Sequence, residues 1–431
     1  MDSSAREMLE SLFYAAVGVA HPLRALPPCL PDPPPAPGRL VVLAAGKAAG
    51  SMIEVAEQHY LSRMPAQRLV GLAVTRYGYK RRPTRHIAVI EAGHPVPDAA
   101  GISATERVLA LADAADGNDL VLVLLSGGAS ANWIAPVAGL ALAEKQAVTR
   151  ALLRSGAAIG EMNAVRKHLS RIKGGRLAQR VYPARLATLA ISDVPGDNPA
   201  VIGSGPTVGD PTTLADARAI IARYRLDMPA AVAQALADPD NETPKPDAEV
   251  FAGSSYRIVA RPDDALRAAA ERAGAAGYEC IMLGGDLQGE AREVAAEQAR
   301  LALSLSATRR RAIILSGGEL TVTLRGRGRG GPNQEYALAL AIHLNGAAGI
   351  AALAADTDGI DGGGGRPDDP AGAFIDATTL SRARTAGLDP AAFLADNDST
   401  GFFSGIGDLF RPGPTLTNVT DFRVIAVDAP A

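Results

Sequence analysis

Several short apolar segments of this chain run directly into glycine. The clearest are RLVVLAAG (39–46), LVLVLLSGG (120–128) and AIILSGG (312–318). An apolar run of roughly four to eight residues bounded by glycine is typical of a buried strand. Strands buried on both faces belong to parallel sheets, in which the ligand-binding loops follow the carboxyl ends of the strands. The pattern therefore predicts parallel strands that lead into binding loops.

Helical patterns separate these strands along the chain. The first segment has apolar residues at helical spacing, and further helices are predicted from Lys47 to about residue 63 and over 160–180. Strands that alternate with helices indicate an α/β fold. No solenoid repeat is visible.

A polar, proline-containing stretch at 237–249 interrupts this alternation and is typical of a domain boundary. We therefore predict two domains, 1–240 and 245–431, and a strand at 249–254 that opens the second domain.

The amino-acid composition limits the classes of molecule that this protein is expected to bind. The 431 residues carry a formal net charge of −3, so the chain has no strong positive field to attract nucleic acid or anionic lipid. Two cysteines, Cys29 and Cys280, cannot build a disulfide framework. The N-terminal sequence lacks the basic start and apolar run of a signal peptide. We expect a cytoplasmic protein that binds a small molecule and exists as a monomer or a homodimer.

The loop from Ser126 to Ser130 is the first candidate binding element. Its residues Gly127 and Gly128 present no Cβ, so backbone N–H groups can approach a ligand closely. Clusters of N–H groups before a helix favour anions, phosphate above all. The alternative is a plain strand-to-helix turn.

A second candidate loop interleaves glycine with Arg325, Arg327 and Arg329 and leads into a helix near Asn333. Arginines beside a helix N-terminus suit a polyphosphate, and the alternative is a solvated basic loop. A Walker A loop is absent. Residues 326–331 have the spacing G-x-G-x-x-G, which by itself is a weak dinucleotide fingerprint.

Asp193 and Asp197 flank Val-Pro-Gly at the end of a predicted strand. Two carboxylates on a stiff turn suit Mg²⁺, which takes one or two carboxylates together with phosphate oxygens and water. The alternative is that each aspartate caps the turn. The histidines lack zinc-binding spacing.

Seven segments, taken together and in their order along the chain, resemble the glycerate 2-kinase family, whose C-terminal half is the MOFRL domain. They are EAGHPVPD (91–98), LLSGGASA (124–131), NAVRKHLSRIKGGRLA (163–178), SDVPGDNPAVIGSGPTVGDPTT (192–213), LSGGELTVTLRGRGRGGPNQEYALA (315–339), ADTDGIDG (355–362) and TNVTDF (417–422).

The resemblance implies two α/β domains. The first would be Rossmann-like with a mainly parallel sheet, the second a smaller α/β domain, and the active site would lie in the cleft between them. It also implies transfer of the γ-phosphoryl group of ATP, with Mg²⁺, to D-glycerate, which gives 2-phosphoglycerate and ADP.

The family's catalytic lysine and arginine map onto Lys47 and Arg325. We add Asp193 as a catalytic residue that holds Mg²⁺ together with Asp197. The candidate cofactor-binding residues are Ser126, Gly127, Gly128, Ser130, Gly317, Gly318, Glu319 and Asn333.

Two other functions stay open. Members of the family have also been labelled hydroxypyruvate reductases, an activity that requires NAD(P)H and that the weakness of the dinucleotide fingerprint disfavours. A non-enzymatic module that binds sugar acids would explain the glycines and arginines, but not a carboxylate pair suited to Mg²⁺.

Overall fold

The computed structural model describes residues 3–79, 84–362, 366 and 368–428. Its strands are β1 (Leu40–Ala45), β2 (Leu69–Arg76), β3 (Ala88–Ala92), β4 (Leu120–Leu125), β5 (Arg185–Ile191), β6 (Ser255–Ala260), β7 (Glu279–Met282), β8 (Gln288–Glu290), β9 (Ala312–Ser316), β10 (Glu319–Thr321), β11 (Ile350–Asp356), β12 (Gly372–Asp376), β13 (Leu409–Phe410) and β14 (Asp421–Val427).

The α-helices are α1 (Ser3–Ala20), α2 (Pro22–Ala25), α3 (Ala49–Leu61), α4 (Ala99–Asp113), α5 (Ala129–Asn132), α6 (Leu142–Ser155), α7 (Ile159–His168), α8 (Arg176–Val181), α9 (Leu214–Arg223), α10 (Ala230–Ala237), α11 (Pro262–Ala275), α12 (Ala291–Ala307), α13 (Pro332–Leu344), α14 (Thr379–Thr385), α15 (Pro390–Ala395) and α16 (Ser399–Ile406).

The chain divides into two units. One, which we call the parallel-sheet unit, comprises Leu26–Ala190 and Asp197–Val259. The other, the mixed-sheet unit, comprises Met1–Ala25, Ile191–Gly196 and Ala260–Ala431. Neither unit is a continuous stretch of chain, because the chain passes between the units at 25/26, 190/191, 196/197 and 259/260. None of these four positions lies within 240–245, where the sequence placed the division.

The sheet of the parallel-sheet unit has the strand order β3-β2-β1-β4-β5-β6. The pairs β2–β3, β1–β2, β1–β4 and β4–β5 are all parallel. β1 and β4 are buried throughout, because apolar side chains cover both of their faces. Helices α6, α7, α9 and α10 share a separate apolar core. The order reverses direction between β1 and β4, so these two strands flank the topological switch point.

The mixed-sheet unit contains a six-stranded sheet in the order β13-β12-β11-β14-β9-β7. The pairs β11–β12, β11–β14, β12–β13 and β9–β14 are antiparallel, and only β7–β9 in this sheet is parallel. A short parallel pair, β8–β10, stands apart from it. Helices α12 and α13 supply much of the apolar core of this unit.

The α/β fold predicted from the sequence is confirmed, and so is the first helix, whose residues Leu9, Leu12 and Phe13 are buried. The helix predicted over 160–180 is wrong. It is divided into α7, which ends at His168, and α8, whose N-cap is Gly175. Between them Gly174 and Gly175 adopt positive φ values of 60° and 83°, which lie outside the right-handed helical region.

The strand predicted at 249–254 is also wrong. That segment contains a 3₁₀ turn at Glu249–Phe251, and the strand follows as β6, which joins the parallel sheet beside β5. None of the helices in the part of the chain that the structure describes is both long enough and apolar enough to cross a membrane.

Candidate active site

The loops after β1 and β4 meet at the switch point of the parallel sheet. Gly46 has a φ of 115°, and a Cβ there would lie 2.4 Å from the carbonyl oxygen of Ser126. Only glycine permits so close an approach. Ligands of open α/β sheets bind at such a switch point, outside the carboxyl ends of the strands.

Backbone hydrogen bonds fix the position of Lys47. Its N–H donates to the carbonyl oxygen of Gly127 at 2.7 Å, and the next amide, of Ala48, donates to Ser126 Oγ at 2.9 Å. Lys47 therefore lies in a turn that precedes α3. The predicted helix start at Lys47 is wrong by two residues, because these contacts hold the turn in place.

Gly128 brings two basic side chains next to this loop. A Cβ on Gly128 would lie 3.5 Å from Lys47 Cγ and 2.9 Å from His94 Nε2. The amides of Gly127 and Gly128 donate to no acceptor among the residues that the structure describes. Two unbonded N–H groups next to a lysine form an arrangement suited to an anion.

The hydroxyl groups of Ser126 and Ser130, unlike the amides of Gly127 and Gly128, are engaged in hydrogen bonds within the protein. Ser126 is fully buried and its Oγ accepts from Ala48, so this hydroxyl shapes the loop. Ser130 Oγ accepts from Arg166 Nη2 at 3.0 Å and from Lys173 Nζ. Neither of these cations was singled out from the sequence, because both lie in a segment predicted to be an ordinary helix.

Asp193 belongs to the mixed-sheet unit, where its Oδ2 accepts from Asn418 Nδ2 at 2.9 Å. The turn that follows contains Gly196 and Asp197, with φ values of 72° and 52°. Asp197 is assigned to the parallel-sheet unit.

Each of these carboxylates fits a magnesium ion by donor chemistry, because a hard cation takes oxygen ligands. No group of three or more metal-binding side chains occurs within the described ranges. A cation here would therefore complete its coordination with oxygens of a ligand or of water.

The loop that carries Arg325, Arg327 and Arg329 is held by its backbone. The N–H groups of Arg325 and Arg327 donate to Asn397 Oδ1 at 2.7 Å and to Asp396 Oδ1 at 3.0 Å. All three arginine side chains are exposed, and none forms an ion pair with a residue that the structure describes. The loop thus presents three guanidinium groups while other residues fix its shape.

Gly317, Gly318 and Asn333 lie in a polar network of the mixed-sheet unit. The N–H of Gly318 donates to Thr420 Oγ1 at 3.2 Å, and Arg423 donates to the carbonyl oxygens of both glycines. The remaining candidate, Glu319, is exposed at the start of β10.

Asp361 organises the start of α13. It accepts from the backbone N–H groups of Asn333 and Gln334 at 3.0 and 2.9 Å, and from both of their side-chain amides. Burial, and next the nearby Asp421 carboxylate, raise the pKa of Asp361 to about 7. The sequence segments ADTDGIDG and TNVTDF contain Asp361 and Asn418, but no pattern within them assigned either residue a partner.

Comparisons with known proteins agree with this architecture. The model of a domain of unknown function, DUF4147, matches residues 8–237, and the model of the MOFRL family matches residues 312–421. A protein named putative hydroxypyruvate reductase from Agrobacterium vitis is 49% identical, over 99% of this chain and 95% of its own length.

Two further matches are to proteins from Thermotoga maritima. One named D-glycerate 2-kinase is 38% identical over 90% of each chain. A crystal structure described as glycerate kinase superposes with a TM-score of 0.86 at 36% identity, and covers 99% of this chain and 100% of that one.

The two sheets and the two matched domains define an α/β enzyme of the kinase class. The structural likeness extends over both units and is not confined to one domain. The chain belongs to the glycerate 2-kinase family.

Proposed function

We propose that this protein transfers the γ-phosphoryl group of ATP to D-glycerate and so forms 2-phosphoglycerate and ADP. The observation that carries the proposal is the switch-point loop, in which the unbonded amides of Gly127 and Gly128 adjoin Lys47. The names of the relatives from Thermotoga maritima support a glycerate kinase.

Phosphoryl transfer depends on positioning and on neutralisation of charge, since the protein contributes little covalent chemistry. The backbone of Ser126–Ser130 would bind phosphate oxygens, and the ammonium group of Lys47 would neutralise the charge that accumulates there. Arg325 would stabilise the transferring phosphoryl group, because a guanidinium offers a planar fork of donors.

Asp193, with Asp197, would hold Mg²⁺ through carboxylate oxygens. A bound Mg²⁺ would supply charge neutralisation on the phosphate oxygens. Gly317, Gly318, Glu319 and Asn333 remain candidates for nucleotide contacts, and the polar network around Asp361 would keep the first turn of α13 in place for that role.

A hydroxypyruvate reductase is the second candidate. It is favoured by the name of the relative from Agrobacterium vitis and by the strand order 3-2-1-4-5-6, which dinucleotide-binding sheets share. The loop after β1, Gly46 to Gly50, lacks the fingerprint spacing.

One experiment separates the two activities. The purified protein is incubated with D-glycerate and Mg·ATP, and NMR resolves 2-phosphoglycerate from 3-phosphoglycerate. In parallel, hydroxypyruvate is supplied with NADH or NADPH, and oxidation of the nicotinamide is followed by absorbance. We expect 2-phosphoglycerate and negligible nicotinamide oxidation. Robust reduction of hydroxypyruvate without kinase activity would overturn the proposal.

A further inference from the structure

Three basic side chains lie together in the interior of the parallel-sheet unit, next to the switch-point loop. Lys145 comes from α6, Arg166 from α7, and Lys173 from the turn that separates α7 from α8. Lys145 is 4% exposed and Lys173 is 1% exposed. Lysine is almost never buried to this degree unless it has a charged partner.

These cations lack such a partner. Among the residues that the structure describes, Lys145, Arg166 and Lys173 form no ion pair with a carboxylate, in contrast to the neighbouring Lys167, which pairs with Asp210 at 3.3 Å. Burial, and next the charge of Arg166, lower the pKa values of Lys145 and Lys173 well below their usual range. A buried cation without a counter-charge is unfavourable, which a purely structural role does not explain.

The three side chains use only part of their hydrogen-bonding capacity. Lys145 Nζ donates to the carbonyl oxygen of Leu169 at 2.6 Å, and Lys173 Nζ donates to Ser130 O and Oγ. An ammonium has three donors and a guanidinium five. Donors therefore remain on all three groups.

A cavity of about 340 Å³ gives these donors access to a ligand. Ser130, Lys145, Arg166 and Lys173 all line it, and its other walls include apolar side chains, among them Ile134. A concave, mostly apolar space with a few convergent polar groups is the usual form of a small-molecule site.

We propose that Lys145, Arg166 and Lys173 form, beside Ser130, a buried binding site for the oxyanion of a small ligand, and that this oxyanion is the carboxylate of the acid substrate. The oxyanion chemistry follows from the three cations and the cavity. The choice of the substrate carboxylate rests on the proposed function, in which the phosphates of the nucleotide bind at Lys47 and the Gly127–Gly128 amides. Ser130 is then a positioning residue, because its hydroxyl holds Arg166 and Lys173.

The test measures equilibrium binding, which requires no turnover. Calorimetric titrations with D-glycerate, ADP and inorganic phosphate are compared for the unmodified protein and for Lys173→Met, which keeps the length of the side chain and removes its charge. Lys145→Met is the second variant, in case the first does not fold. Arg154→Met, at an exposed position of the same helix α6, is the matched control.

We expect Lys173→Met to weaken D-glycerate binding at least about tenfold, to leave ADP binding within about twofold, and to raise the thermal midpoint of the ligand-free protein. Arg154→Met should change none of these. A loss of ADP and phosphate binding with D-glycerate unaffected would keep the oxyanion site but assign it to the nucleotide.

Unchanged binding of all three ligands, or an unmodified protein that binds none of them, would overturn the inference. If kinase turnover fails while D-glycerate binding depends on Lys173, only the proposed function is overturned. If turnover is normal in Lys173→Met with an unchanged KM for D-glycerate, only the inference is overturned.

Discussion

Asn418 donates its side-chain amide to the carboxylate of Asp193, with 2.9 Å between Nδ2 and Oδ2, although the two residues are 225 positions apart in the chain. The bond joins the turn after β5 to the segment that precedes β14, within the mixed-sheet unit. A donor fixed on one oxygen sets the orientation of the carboxylate, as the outer partners of metal ligands do. Asp193 is therefore held in one position, which suits a ligand of a cation.

Asp193→Asn should lower kcat sharply and raise the concentration of Mg²⁺ needed for half-maximal rate, because an amide is a weaker ligand for a hard cation. Initial rates over a range of Mg²⁺, at saturating ATP and D-glycerate, measure both effects. Asn418→Ala removes the orienting bond, together with the acceptor of the Thr420 N–H, and should act in the same direction but less. If Asp193→Asn shows wild-type kinetics at limiting Mg²⁺, Asp193 does not bind the cation and serves only to cap the turn.

Lys47→Ala should lower kcat/KM at least about tenfold, which corresponds to roughly 1.4 kcal/mol of lost transition-state stabilisation. The reason is the loss of the ammonium group beside Gly128, while the backbone bond to Gly127 remains. The matched control is Arg63→Ala, which removes an exposed cation just after α3. If both variants keep full activity, Lys47 serves only the turn.

Arg325→Lys should lose much of kcat and leave the affinity for ATP less affected, since an ammonium cannot reproduce the fork of a guanidinium. The thermal midpoint should stay near that of the unmodified protein, because Asn397 binds the backbone of the loop at this position. Arg327→Lys and Arg329→Lys are the matched variants. Equal and small losses in all three would indicate a diffuse basic loop and no dedicated arginine.

The stability of the mixed-sheet unit should fall as the pH rises from about 4 to about 7. Asp361 binds its proton more tightly in the folded state, where its pKa is about 7, than in the unfolded chain, where it is near 3.8. The folded state thus holds more protons in this window, and the free energy of unfolding decreases as they are released.

Asp361→Asn removes this titration. The difference in thermal midpoint between about pH 5 and about pH 7 should therefore be smaller in the variant than in the unmodified protein. Its midpoint should be lower at both pH values, because the first turn of α13 loses an acceptor of several N–H groups. An unchanged pH slope would contradict the assignment.

The sequence predicts the loops that surround the site better than the buried side chains inside it. The loops at Gly46 and Ser126 were predictable because glycine directly after a buried apolar run is typical of a tight loop at the end of a parallel strand. The burial of Lys145 was not predictable, because a lysine on an amphipathic helix normally reaches solvent. Only the packing of α6 against the turn at Leu169 places its ammonium group inside. The hydrogen bond between Asp193 and Asn418 was not predictable either, because no local sequence pattern links residues so distant in the chain.

The path of the chain through the two units has a consequence for attempts to separate them. The segment matched by the first family model, 8–237, includes most of α1. It omits α11, against which α1 packs, and also β6. A fragment cut at residue 237 would leave the apolar face of α1 without α11, its packing partner. It would also make β5 an unpaired edge strand, and an exposed edge strand favours aggregation. A fragment spanning 26–260 keeps all six strands of the parallel sheet. In this protein the segments matched by the family models and the compact units of the structure do not share their ends, so expression of one unit alone should follow the three-dimensional division and not the family limits.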